Sequence, residues 1–348
     1  VLVASIAASC ARHRPATTRR LPPSSARTAP NETTTTEPEG RRLAVAPTGD
    51  DASPGDNDHP FRTLGHALSV LHAADQLTVH GGDYSERIDL EVAAGRADAP
   101  ITVGAAQGER PILHGLLWLT KPSWWNIDGI NVTWAKGNRR SEHMIKLVDG
   151  TDWSFTGAEV WDARSFAALL VAGSPARWRL AELYVHDTHK ANGDAQDHLI
   201  YVNAGSGGGV IERCVLAHSP NGRAIKLGPV HAHDPAVRNV VVRFTTMFDN
   251  RGPSNVQLTG PTSNNRIEHN IMVGPKPDRA NVTASRLLGR DNVIAGNVGF
   301  GGTRVLDTDP GLVDGSGNVL VDPQFADTSH GDFHPTNPAA TAFGRYAP

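Results

Sequence analysis

One stretch of the 348-residue chain gathers side chains suited to acid–base chemistry: His198, Tyr201, Arg223, Lys226 and Arg251. On one face, such groups suit removal of the proton alpha to a uronic carboxylate, the first step of a β-elimination. Lys226 is the expected base, its pKa lowered by cations such as Arg223 or Arg251, with Tyr201, His198 and Arg251 completing the catalytic set. The substrate carboxylate then needs neutralising and the enolate needs stabilising, either by arginine itself or by Ca²⁺ held on Asp194 and Asp197. Lys146, Arg223, Gln257, His186 and His189 are candidate substrate-binding groups. Each has a plainer reading. A strand lysine is commonly just solvated, and the His and Asp residues of a loop cap turns, since no two-His helical spacing or cysteine pairing marks a metal site. Tyr201 suits a carbohydrate-stacking platform as well as a catalyst.

What must position these residues is a repeat. A motif of an apolar residue, then a second small, apolar or Asn position three residues on and a third two further on occurs seven times. The copies are Ile127/Ile130/Val132, Phe155/Ala158/Val160, Leu180/Leu183/Val185, Ile211/Cys214/Leu216, Val242/Thr245/Met247, Ile267/Asn270/Met272 and Ile294/Asn297/Gly299, starting 28, 25, 31, 31, 25 and 27 residues apart. A second motif keeps step at Ile145/Leu147, Leu169/Val171, Ile200/Val202, Ile225/Leu227 and Val256/Leu258. Short β-branched runs with period-two alternation, broken by Gly and Asn, read as strands.

A mid-twenties period of short strands without regular leucines or a helical segment excludes leucine-rich repeats, and it is too short for propeller blades. The expected fold is all-β: a right-handed parallel β-helix, a single-stranded solenoid of about 8–10 coils, each laid about 4.8 Å above the last. Asn270 and Asn297 are then expected to form an amide ladder at a bend, continued by Thr245, Cys214, Leu183 and Ala158. The residues between the apolar pairs, Lys146, Leu170, Tyr201, Lys226 and Gln257, form an outward column. Beside it the repeat swells at HDTHKANGDAQDH and PVHAHDP, which bring His186, Asp187, His189, Asp194, Asp197, His198, His231, His233 and Asp234; Asp249 and Asn250 follow one coil later. Long loops on a rigid stack are common places for sites. Trp125, Trp153 and Trp178 are expected inside and stacked, whereas Trp134 and Trp161 are candidates for stacking on sugars.

Net charge of −3 and 39% hydrophobic residues describe a chain able to bury one long core, and point to neither nucleic acid nor a membrane as partner. Residues 1–10, VLVASIAASC, read as the end of an export signal, with Ala7-Ala8-Ser9-Cys10 as a lipoprotein cleavage box and Cys10 as the lipidated residue; plain secretion and a chance apolar start are the alternatives. Residues 11–42, rich in Pro, Thr, Ser and Arg, read as a disordered tether, and 43–344 as the β-helix domain. Thr63 with Leu64, Ala67, Leu68 and Leu71 predicts an N-terminal capping helix over the open end of the stack, followed by strands at 76–80 and 88–90.

The stretches TGDDASPGD, PFRTL, APITVGAAQGERPILHG and VDPQFADTSHGDFHPTNPAATAFG resemble bacterial right-handed β-helix proteins of the pectin-lyase-like superfamily, over about 43–344. That resemblance implies the fold, while the superfamily's lyases, glycoside hydrolases, epimerases and proteins without known activity leave the reaction open. The paired-aspartate set of polygalacturonase-like hydrolases and the Arg-x-Pro-x-x-Arg of common pectate lyases are absent. Some β-helix lyases pair a lysine base with an arginine one coil on, and Lys226 with Arg251 is similar in spacing.

Two classes of function stay open. One is an exported, monomeric, polysaccharide-active enzyme, a lyase on an acidic glycan ahead of a hydrolase or epimerase. The other is a non-catalytic surface protein that binds glycan or acts as a rigid spacer. In both the protein is extracellular or in the cell envelope, touching a membrane through no more than a lipid on Cys10.

Overall fold

The computed structural model describes residues 40–189, 196–205, 207–229 and 235–348. The expected signal, Cys10, most of the tether, and Asp194, His231, His233 and Asp234 lie outside the described residues. Within the described residues the Arg41 backbone N–H donates to Asp75 Oδ1 at 2.8 Å, and Arg42 opens the first strand, Arg42–Val45.

The chain is an all-β parallel solenoid of about eight complete turns. One face is an 11-stranded parallel sheet; the second and third faces together form a 17-stranded sheet, because the long strands Gly82–Glu91 and Pro111–Thr120 run across both. Pro111–Thr120 shows the branching, since Leu113 pairs with Val132 on the second face while Leu119 pairs with Leu147 on the third. All seven copies of the first repeat motif begin on the first face and end on the second, with the register Ile211↔Val242↔Ile267↔Ile294 running through successive turns.

The corner between these faces explains the motif's spacing. A left-handed residue precedes each middle position: Glu182, Arg213, Phe244 and His269 have φ between +48° and +57°, and Gly occupies the same place at 129, 157 and 296. That single residue turns the chain so that the next side chain points inward again. Inside the corner, Asn270 Nδ2 donates to Asn297 Oδ1 at 3.0 Å, and Asn297 Nδ2 to Asn318 Oδ1 at 3.1 Å. The Thr245 N–H donates to Asn270 Oδ1 and the Cys214 N–H to Thr245 Oγ1, so the column continues through hydroxyl and thiol residues. Cys214 is fully buried and its thiol is pushed up to about 12 by burial.

One apolar core runs from Leu43 to Leu312 through every turn. Trp125, Trp153 and Trp178 are inside it, and Trp153 and Trp178 stack at 5.8 Å. Gly209 makes room for this pair, because a Cβ there would lie 2.0 Å from the Trp178 ring. Helix is nearly absent among the described residues. The helix expected to cap the stack extends over Leu64–Ser69 alone; Thr63 Oγ1 accepts from the His66 N–H, and the turn ends at Val70, leaving Leu71 outside. Six residues are too few to form a helical lid of their own, and Leu64, Ala67 and Leu68 pack into the common core. At the other end the chain turns back, and Phe333 and Tyr346 pack against Tyr184, Val215 and Phe248 on the outside of the second face. Among the described residues no helix is long and apolar enough to cross a membrane.

Candidate functional site

The third face aligns the expected column. Lys146 pairs with Leu170, Leu170 with Tyr201, Tyr201 with Lys226, Lys226 with Gln257, and Gln257 with Thr283. All point away from the main core, but the column is not an open wall. Leu170 and Tyr201 are 4% and 7% exposed and form a small apolar layer of their own with Ala167 and Ala172. Tyr201 is therefore no sugar-stacking platform. The Lys226 ammonium stands over its ring, 4.6 Å from the centroid, and the edge of His198 meets it at 5.9 Å and 72°. A similar pair occurs three turns earlier, where Lys146 Nζ lies 5.1 Å over Trp118.

The setting of Lys226 is electrostatically unusual. Burial, then the positive charges of Arg223 and Arg286, bring its pKa down from 10.5 to about 8. Arg223 is itself 7% exposed, and burial lowers its pKa to about 10. A lysine so placed is a usable base near neutral pH, which an ordinary surface lysine is not.

Two histidines share this cluster and stay neutral. His198 Nδ1 accepts the backbone N–H of Arg223 at 3.3 Å, which leaves its proton on Nε2. Burial holds its pKa well below the ordinary value, helped by Arg223, Lys226 and His143. His143, absent from the expected set, is brought down to about 4 by burial, with the Lys146 charge adding to the effect. Its backbone carbonyl accepts the Trp118 indole N–H at 2.6 Å, which ties the loop to the column.

Several expected members lie elsewhere. Arg251 is exposed and its guanidinium is held by Asp249 at 2.9 Å, so of the two cations expected to act on Lys226 Arg223 does so, and Arg286 takes the place of Arg251. Arg286 escaped sequence reasoning because it is the extra residue of a bulge. Thr259 pairs with Ser285 and Gly260 with Leu287, leaving Arg286 between them with φ of +49°. His186 is on the second face, its Nε2 3.0 Å from Glu159 and its Nδ1 2.7 Å from Asp187, with its ring stacked on Tyr184. His189 is bonded to Asp162. Trp161 is half-buried, parallel to the His186 ring and covered by Arg110 at 5.3 Å, so it does not offer a bare face.

Asp197 is fully buried. Its backbone carbonyl accepts from Ser219 Oγ at 2.7 Å, and its Oδ2 accepts from Ser219 Oγ at 3.2 Å and the Asn221 N–H at 3.3 Å. These bonds clasp two loops, a structural role. Among the described residues no three His, Cys, Asp or Glu side chains gather where a metal ion could sit, so the Ca²⁺ expected on Asp194 and Asp197 finds no ligand set among them.

Two concavities among the described residues lie away from Lys226. One, of about 560 Å³, opens at the C-terminal end between Arg304, Leu306, Asp309 and Leu320. The other, of about 470 Å³, lies between Trp134, Lys136, Asn138, Arg140, Asp162 and Arg164.

Residues 47–92 match the family described as a protein of unknown function, DUF1565. The uncharacterized protein YwoF of Bacillus subtilis (strain 168) is 33% identical over 79 residues, 23% of this chain and 17% of that protein, so the match spans far less than two thirds of the relative. Among solved structures, a pectate lyase, Pel9A, superposes with a TM-score of 0.63 at 12% identity over 84% of each chain. An alginate lyase from Paenibacillus sp. str. FPU-7 gives 0.48 at 17% identity, over 74% of this chain and 92% of its own. The chain shares the parallel β-helix fold of that pectate lyase.

Proposed function

We propose that the protein is an exported polysaccharide lyase that cleaves an acidic, uronate-containing glycan by β-elimination, with Lys226 as the base. The observation that carries this reading is the state of Lys226: partly buried on the Tyr201 ring, with Arg223 and Arg286 as the charges that act on it. Strongly perturbed titratable groups clustered on a rigid scaffold are a signature of sites. The likeness to a structure named as a pectate lyase supports the fold on which such chemistry occurs, and goes no further.

In the proposed reaction neutral Lys226 takes the proton from the carbon alpha to the uronate carboxylate. The electron pair left behind spreads into the carboxylate as an enolate, which Arg223 and Arg286 stabilise as charge develops. Collapse of the enolate forms a carbon–carbon double bond and expels the glycosidic oxygen at the β carbon, which takes a proton from water. His198, neutral and with its proton on Nε2, is a hydrogen-bond donor in this scheme, not an acid. Tyr201 positions Lys226 through its ring. Lys146 and Gln257, above and below on the column, contact the substrate.

Export through residues 1–10, a lipid on Cys10, and a monomeric extracellular or envelope-bound state belong to the same proposal. Incubation with a panel of uronate polysaccharides, followed by ultraviolet absorbance of the conjugated unsaturated product, is the direct test. Absence of signal on every polymer, or a signal unchanged by Lys226→Ala, would remove the lyase reading.

A further inference from the structure

The concavity of about 470 Å³ is within the size range of small-ligand sites, and it is built by a mismatch of loop lengths. Thr133 and Trp161 are paired neighbours at the ends of adjacent second-face strands. From there the chain takes eleven residues, 134–144, to reach the third face in one turn, but five, 162–166, in the next. The short loop leaves a notch beside the long one, and Trp134, Lys136 and Arg140 line it from one side, Asp162 and Arg164 from the other.

The long loop is held in place from beneath. Asn138 Nδ2 donates to the Gly115 carbonyl at 2.9 Å, and its Oδ1 accepts from Arg87 at 3.2 Å. The same Arg87 grips both oxygens of Glu142, at 3.0 and 2.5 Å, and Glu142 also accepts the Arg139 N–H at 2.7 Å. The loop's one carboxylate is thereby turned away from the notch. What lines it is a half-buried indole, three cations, the Asn138 amide and one carboxylate, Asp162, which Arg164 approaches at 3.5 Å and His189 also engages. Lys136, Arg140 and Arg164 are exposed. An indole beside cations on a pinned loop is complementary to a ring that carries an anionic group.

We infer that this notch is a binding subsite for an anionic sugar unit, its ring against Trp134 and its carboxylate on Lys136 and Arg164. The turns that form it are three and two turns before that of Lys226, which is about 10–15 Å along the axis at 4.8 Å per turn. A glycan lying along the solenoid would therefore fill the notch while another of its units reaches Lys226. The placement of the bond to be cut rests on the lyase reading, whereas the subsite itself does not.

The test is affinity electrophoresis of the full chain in gels cast with polygalacturonate, with a sulfated glycan (heparin), or with neutral galactan, comparing wild type, Lys136→Glu/Arg164→Glu and Lys226→Ala. Both charge-reversed residues are exposed, so the fold should persist, and thermal melts check it; Trp134→Ala is a second variant that removes the platform while leaving the charges. Retardation by polygalacturonate and not by galactan, weakened about tenfold in apparent Kd by the double charge reversal and retained in Lys226→Ala, is the expected result. Unchanged retardation in both the double charge reversal and Trp134→Ala would overturn the subsite, whatever the outcome of the elimination assay. Retardation by heparin alone would overturn the assignment to a carboxylate.

Discussion

The ammonium of Lys226 stands 4.6 Å from the centre of the Tyr201 ring because the two residues are register partners on adjacent turns. A cation over an aromatic face is favoured by about 0.5–2 kcal/mol, which on its own would raise the lysine pKa. The pKa instead falls from 10.5 to about 8, a change of about 3 kcal/mol in the opposite direction. Burial, Arg223 and Arg286 act against the charged form and the ring acts for it, and the ring fixes the position of Nζ.

If neutral Lys226 is the base, kcat/KM rises with pH and levels off above an inflection near pH 8, because the fraction of unprotonated amine limits the rate below it. Lys226→Arg, which stays charged, loses activity at every pH. The ultraviolet assay across pH 6–10 on a responsive uronate polymer reads both outcomes.

Arg286 and Arg251 separate in the same assay. Removing the positive charge of Arg286 relieves repulsion on Lys226, so Arg286→Gln moves the inflection to higher pH. Arg251→Gln leaves the inflection where it is, since Arg251 is an exposed partner of Asp249. Equal shifts from both variants would mean that the charge near Lys226 acts diffusely.

The contrast between these two arginines shows what the sequence could reveal. The repeat made the fold legible: each apolar–x–x–middle–x–apolar copy marks a corner, and the left-handed residue before the middle position is what enforces that spacing. The column through Tyr201 and Lys226 was legible for the same reason, since strand register carries over from turn to turn. Arg286 was hidden because a bulge breaks register by one residue, and His143 because it arrives on a loop whose path the repeat does not set. The cover over Tyr201 was invisible too, as alternation distinguishes inward from outward but not covered from open.

Acid should weaken the fold through the two buried histidines. His143 has a folded pKa of about 4 and that of His198 is well below 6.5, so on acidification the unfolded chain binds protons first. Stability contributed by keeping these rings neutral is present above pH 6.5 and is lost as pH falls through and below that value. The urea midpoint is expected to drop between pH 7.5 and 5, and to drop less in His198→Gln, which cannot take up the proton. An equal drop in the variant would place the acid sensitivity elsewhere.

The corner ladder carries stability out of proportion to its size. Asn270 is fully buried; its Oδ1 accepts the Thr245 N–H at 3.0 Å, and its Nδ2 donates to the Val242 carbonyl and to Asn297 Oδ1, both at 3.0 Å. Asn270→Ala removes these bonds together and strands a buried backbone N–H and a carbonyl, each costing about 1–3 kcal/mol. Gln257→Ala, on the outer face of the same parallel stack, strands no such group. Equilibrium urea unfolding should therefore show a loss of about 3 kcal/mol or more for the first and less than about 1 kcal/mol for the second. Comparable losses would mean that strand pairing, and not the amides at the bend, is what holds successive turns in register.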